Sequence, residues 1–138
     1  MKQHFNKLTL LAICLLLCSV TVLGSKKPKQ EMYQLTVYQY TTAQQEATLD
    51  SYLKDALLPA LHKNGYKNIG VFKSLANDTA KIKTMFVYMP VKNVADQLLL
   101  TEKLNKDTAY QSAGAAYLNA VYTAPPYSRM EIILLKAF

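Results

Sequence analysis

The spacing of hydrophobic and polar positions changes period along the chain, and each change marks an element. Residues Tyr33-Gln34-Leu35-Thr36-Val37-Tyr38-Gln39-Tyr40 alternate and are rich in β-branched and aromatic side chains, which predicts a first strand. Thr42, with Gln45 three residues later, resembles a capping box and opens a helical stretch over residues 44–64. Within it Leu49, Leu53, Ala56, Leu57, Ala60 and Leu61 share one face. Pro59 should kink that helix, because proline removes a backbone donor and crowds the carbonyl four residues earlier, and Gly65 is a stop signal.

Residues 67–74, with Ile69, Val71 and Phe72, read as a second strand, and Asn77-Asp78 supplies a turn into a third strand over residues 81–91. In that third strand Met85, Val87 and Met89 point one way and Phe86 and Tyr88 the other, so both of its faces are apolar. Asn93 caps a second helix running to residue 104, with Asp96 near its positive end. Asp107 caps a third, alanine-rich segment to residue 120, and Ala124-Pro125-Pro126 forces a loop. Residues 127–138 then form a last strand around Ile132-Ile133-Leu134-Leu135.

The order is β-α-β-β-α-β with an extra helical turn or two before the final strand, the ferredoxin-like α+β pattern with a four-stranded antiparallel sheet. Helices on one side leave the other sheet face uncovered. That face carries either Tyr38 and Tyr40 or Phe86 and Tyr88, together with a last strand apolar on both sides, and it therefore demands a cover. A second copy of the domain is the simplest.

Ahead of the domain, Lys2 and Lys7 precede the apolar run from Leu8 to Val20, followed by Val22-Leu23-Gly24. This is the layout of a cleavable export signal over residues 1–24, with Gly24 at the −1 site and Val22 at −3. Its apolar stretch is shorter than the roughly 20 residues of a membrane-spanning helix. A lipid anchor would fall on Cys18, but Leu17 stands before it where a small residue is expected. Residues 25–31 read as a basic linker and residues 32–138 as the domain, exported to the periplasm or the extracellular space, without a membrane span once the signal is cut.

Removing the signal takes away Cys14 and Cys18, so no thiol remains for a disulfide, a metal or nucleophilic catalysis. Stability must come from a core. The formal charge of +7 also loses its first impression: Lys2, Lys7, Lys26, Lys27 and Lys29 lie before Glu31, and from there on 11 basic residues face 9 acidic ones. They are scattered, without the clustered footprint of a phosphate-binding protein, so nucleic acid is not expected as a partner.

The passage Leu57-Leu58-Pro59-Ala60-Leu61-His62-Lys63-Asn64-Gly65-Tyr66, then Ile69-Gly70-Val71-Phe72, resembles the helix-to-strand passage of the NIPSNAP family. Asp107-Thr108-Ala109-Tyr110-Gln111 and the ending from Pro125 to Phe138 resemble its exported bacterial branch. The resemblance spans nearly all of the domain. It implies a domain of the dimeric α+β barrel group, in which two sheets pack face to face, either in a homodimer or with a second domain of a longer chain. It implies no agreed catalytic residues and no cofactor.

His62 is the only histidine beyond the signal and the only candidate for catalysis, a proton carrier near a helix C-terminus; the commoner role of such a residue is capping or surface. With no thiol and no second imidazole it makes no metal site. Tyr38, Tyr40 and Tyr88, with Tyr33 beside them and His62, are candidate ligand-binding residues, since tyrosine offers an apolar body and a polar tip; the commoner role is packing within a sheet. Arg129 and Glu131 share a face of the last strand, where a solvated ion pair is the ordinary outcome. No glycine-rich phosphate loop, Ser-His-acid spacing or paired-carboxylate motif is present.

Three readings follow. The first is an exported, non-catalytic domain that pairs with itself and binds a small apolar or amphipathic molecule. The second, by analogy of fold alone, is an enzyme of the cofactor-independent monooxygenase or haem-handling kind. The third is a module docking another protein through the open sheet face.

Overall fold

The computed structural model describes residues 31–137. The expected export signal, most of the expected basic linker and Phe138 lie outside the described residues. Four strands form one antiparallel sheet in the order β2-β3-β1-β4: β1 (Met32–Tyr40), β2 (Gly70–Lys73), β3 (Lys83–Val91) and β4 (Arg129–Lys136). This is the ferredoxin-like arrangement, and all the helices pack on one face of it.

The first helical stretch is α1 (Ala43–Ser51), a π-helical segment (Tyr52–Leu57) and α2 (Leu58–Lys63), end to end. Thr42 caps it, its hydroxyl accepting from Gln45 N at 3.1 Å, while Gln45 reaches back to Thr41 N and across to the carbonyl of Pro125. Instead of a simple kink, Pro59 is met by a wider register on its N-terminal side. The π turns draw Leu58 N to Leu53 O, and the register change brings Tyr52, Leu53 and Ala56 into the core together.

β2 is shorter than its sequence pattern. The chain passes through left-handed backbone at Gly65 (φ 83°) and Asn68 (φ 58°) before it can pair, so pairing starts only at Gly70. Asn77 sits in the turn ahead of β3, buried, with its side chain bonded to both backbone groups of Thr84 and to Tyr40 Oη.

Asn93 caps α3 (Val94–Lys106) through Asp96 N at 2.9 Å. Asp107 then caps α4 (Thr108–Ala113), accepting from Ala109 N and Tyr110 N and pairing with Lys63 at 2.7 Å. The expected single helix to residue 120 is divided at Gly114 into α4 and α5 (Ala115–Leu118). A Cβ at Gly114 would stand 3.0 Å from Tyr110 O and 3.3 Å from Ala56 Cβ, so a side chain there would press its neighbours apart where the junction lies against the π segment.

The two sheet faces are set by register. Met32, Gln34, Thr36, Tyr38 and Tyr40 of β1 share the helix side with Met85, Val87, Met89 and Val91 of β3. Tyr33, Leu35 and Val37 share the opposite face with Phe72, Phe86 and Tyr88, and with Ile133 and Leu135 of β4. No described residue covers that second face: Phe72 is 57% exposed, and Ile133 and Leu135 about 40%. The open face thus carries Phe86 and Tyr88, while Tyr38 and Tyr40 lie beneath the helices.

Candidate functional site

Polar groups gather on the helix side of the sheet. Gln34, Thr36 and Tyr38 of the central strand β1 are flanked by Met89, Val87 and Met85 of β3 and by Leu134, Ile132 and Met130 of β4. A polar stripe therefore runs down the middle of an apolar face. Gln34 Nε2 donates to Thr36 Oγ1 at 3.0 Å, and Gln97 Nε2 of α3 donates to Gln34 Oε1. Thr36 Oγ1 makes no other hydrogen bond among the described residues, so its proton is uncommitted.

Above the stripe lies a cavity of about 310 Å³ between the sheet and α3. Its floor is buried: Thr36, Tyr38, Tyr52, Val87 and Met89 are almost inaccessible. Its rim is open and mostly apolar, with Leu98 of α3 68% exposed and Ile132 of β4 57% exposed, beside Met130 and Thr101. The helix-facing row of β4, an edge strand, is only partly covered: Tyr117 of α5 reaches Met130, while Ile132 and Leu134 stay open. Every side chain lining the cavity is uncharged.

At one end the floor merges into a cluster of five tyrosines drawn from five parts of the chain: Tyr38 of β1, Tyr52 of the π segment, Tyr110 of α4, Tyr117 of α5 and Tyr127 just before β4. Tyr52 and Tyr117 stack at 3.8 Å between ring centres and 7° between planes, and Tyr52 Oη lies 2.9 Å from Tyr110 Oη. Tyr117 Oη approaches Tyr38 Oη at 3.4 Å. Burial pushes the phenols of Tyr38, Tyr52 and Tyr117 above the ordinary tyrosine range, so they stay protonated at neutral pH and act as neutral hydrogen-bond groups, not as phenolate nucleophiles.

The residues singled out from sequence do not meet at one place. Tyr38 and Tyr40 are in the helix-side core, and only Tyr38 reaches the cavity. Tyr88 lies on the opposite face, where its ring stacks on Tyr33 at 4.9 Å. His62 is exposed on α2 and lines none of the hollows described for the molecule. Arg129 and Glu131 form an ion pair of 2.6 Å on the open-face side of β4. The residues that build the cavity, Gln34, Thr36, Tyr52, Gln97 and Met130, were missed. Their signal was present in β1, where Gln34 and Thr36 fall in phase with Tyr38.

A second hollow of about 350 Å³ lies where α2 hands over to β2, among Lys67, Lys92, Lys103 and Asp96. Its lysines are exposed to solvent, and it has no buried polar floor. Among the described residues no group of three histidine, cysteine or acidic side chains could hold a metal, and no helix is long and apolar enough to cross a membrane.

The fold is that of solved NIPSNAP proteins. Two are from Agrobacterium tumefaciens: one is 13% identical over 82% of this chain and 90% of that one, with a TM-score of 0.59. The other is 14% identical over 80% and 91%, with a TM-score of 0.58. A NIPSNAP domain protein from Burkholderia xenovorans is 15% identical over 75% and 91%, with a TM-score of 0.53. No family model matches the sequence, and no curated protein matches it.

Proposed function

Taking the NIPSNAP fold as premise, we propose that this chain is an exported NIPSNAP-like domain that pairs with a second copy of itself through the open sheet face and holds a small apolar or amphipathic molecule in the helix-side cavity, without catalysing a reaction. One observation carries the reading: β1 turns Leu35 and Val37 away from its own helices and Gln34 and Thr36 toward them. A strand serving only a one-sided core would do the opposite. Its apolar residues suit a covering partner, and its polar ones suit a guest.

Non-catalytic binding is favoured because the cavity offers no group that changes charge near neutral pH, and because His62 stands apart from it. Among the described residues, no set of side chains supports the monooxygenase-like or haem-handling reading.

Light scattering coupled to size-exclusion chromatography on residues 25–138 tests the pairing; a dimer is expected, and a stable, soluble monomer at high concentration would sink it. Native mass spectrometry of the protein from its own host tests export and binding together. The expected spectrum shows a mature N-terminus at Ser25 and an added small-molecule mass; an intact Met1 terminus would overturn export.

A further inference from the structure

The cavity differs from the rest of the surface in its charge. This domain scatters acids and bases over its exterior, yet among the described residues none of the side chains around the cavity is ionised. A charged guest would leave water for a site with no counter-ion, which is prohibitive unless the guest neutralises.

The hydrogen-bonding capacity of the floor narrows the chemistry further. Thr36 is 6% exposed and accepts from Gln34, which leaves its own proton without an acceptor. The amide oxygen of Gln34 is already engaged by Gln97. The floor therefore offers the Thr36 hydroxyl proton as a buried donor among uncharged groups. A neutral carbonyl takes that proton and brings no charge into a lining that has none. The rim sets the rest of the molecule, since Leu98, Met130 and Ile132 form an apolar slot leading outward between α3 and β4.

We propose that the ligand of this cavity is an uncharged, elongated, largely apolar molecule whose carbonyl oxygen accepts a hydrogen bond from Thr36 Oγ1. The proposal rests on the reading of the cavity as the binding site. It names the chemical class of the guest and the residue that selects it.

The test uses the protein with two probes of matched length, 2-undecanone and undecanoate at pH 8, followed through methyl resonances by NMR. The ketone should shift the methyl signals of Leu98, Met130 and Ile132 and bind at least tenfold more tightly than the carboxylate. Thr36→Val, which keeps the side-chain shape and strand preference, should weaken the ketone roughly five- to tenfold. Ile132→Trp, at the exposed rim, should block both. If undecanoate binds as well as the ketone, or Thr36→Val changes nothing, the carbonyl assignment falls while the cavity stands as a site. If neither probe moves those methyls, the cavity reading falls with it. Should a variant fail to fold, the carbonyl stretch of the ketone bound to the unmodified protein decides by infrared spectroscopy: it should lie below its frequency in hexane, and a frequency equal to that in hexane would overturn the assignment.

Discussion

Both faces of the sheet carry aromatic and aliphatic side chains, but the two stand in opposite relations to their surroundings. On the helix side Tyr38, Tyr52 and Tyr117 are locked into a multi-ring cluster, and polar groups are admitted only where hydrogen bonds or a cavity receive them. On the other side Leu35, Val37, Phe86 and Tyr88 make a flat apolar field whose main internal contact is the Tyr33–Tyr88 stack. The first face is covered within one chain except along β4. The second gains its worth only when covered, at about 1.5–3 kcal/mol for each large side chain fully buried.

That contrast breaks most clearly under alanine substitution. Tyr52→Ala removes the ring stacked on Tyr117 and the hydroxyl paired with Tyr110. It should cost about 3–5 kcal/mol in chemical denaturation, whereas Tyr88→Ala, measured at concentrations where the chain is monomeric, should cost less than about 1.5 kcal/mol. Equal losses would mean that the faces are not distinct in the way described.

A charge on the open face should act on association. Val37 pairs in register with Phe86 and Glu131, near the middle of that face. Val37→Lys is expected to weaken self-association by about 2 kcal/mol or more, a thirtyfold effect by analytical ultracentrifugation, while the far-ultraviolet dichroism of the monomer is preserved. Unchanged association would place the contact elsewhere.

The smallest effect comes from the border of the helix layer, where Lys73 reaches Glu46 at 2.7 Å and Asp50 at 2.8 Å. The hydrogen bond from Lys73 holds the Glu46 carboxyl below its usual value. A carboxylate with a lowered folded pKa adds stability that is complete above the unfolded value of about 4.3 and is lost as pH falls through the folded one. Glu46→Gln should lower thermal stability slightly at pH 7, by less than about 1 kcal/mol, and the melting curves of the two proteins should converge toward pH 3. A gap that persists at pH 3 would point to packing as the cause.

Much of the fold was legible because its signals are local. The alternation in β1, the caps at Thr42, Asn93 and Asp107, and the two-sided β3 each rest on neighbours within a few residues, and each sits in the structure where its pattern puts it. What the pattern of β1 could not decide was which of its two faces meets the helices. Tyrosine is at home on either side, and the hydropathy of Gln34 and Thr36 alone would send them to solvent. Pro59 announced a disturbance but not its form, since the π register depends on what Tyr52, Leu53 and Ala56 must reach. Gly114 reads as an unremarkable residue in an alanine-rich helix until Ala56 is known to lie against it. The tyrosine cluster draws on residues from Tyr38 to Tyr127, and no local spacing records that closeness.

The central place of β1 also governs how the molecule comes into being. One of its edges is satisfied by β3 and the other by β4, where Gln39 must wait for Arg129. A chain emerging N-terminus first therefore holds an alternating, tyrosine-rich strand with an unclaimed edge until nearly all of the domain has followed. Contacts of such long sequence separation slow folding, and a free edge of this composition invites pairing with the wrong chain. The strand that organises the finished sheet is thus the segment most in need of protection while the sheet is incomplete.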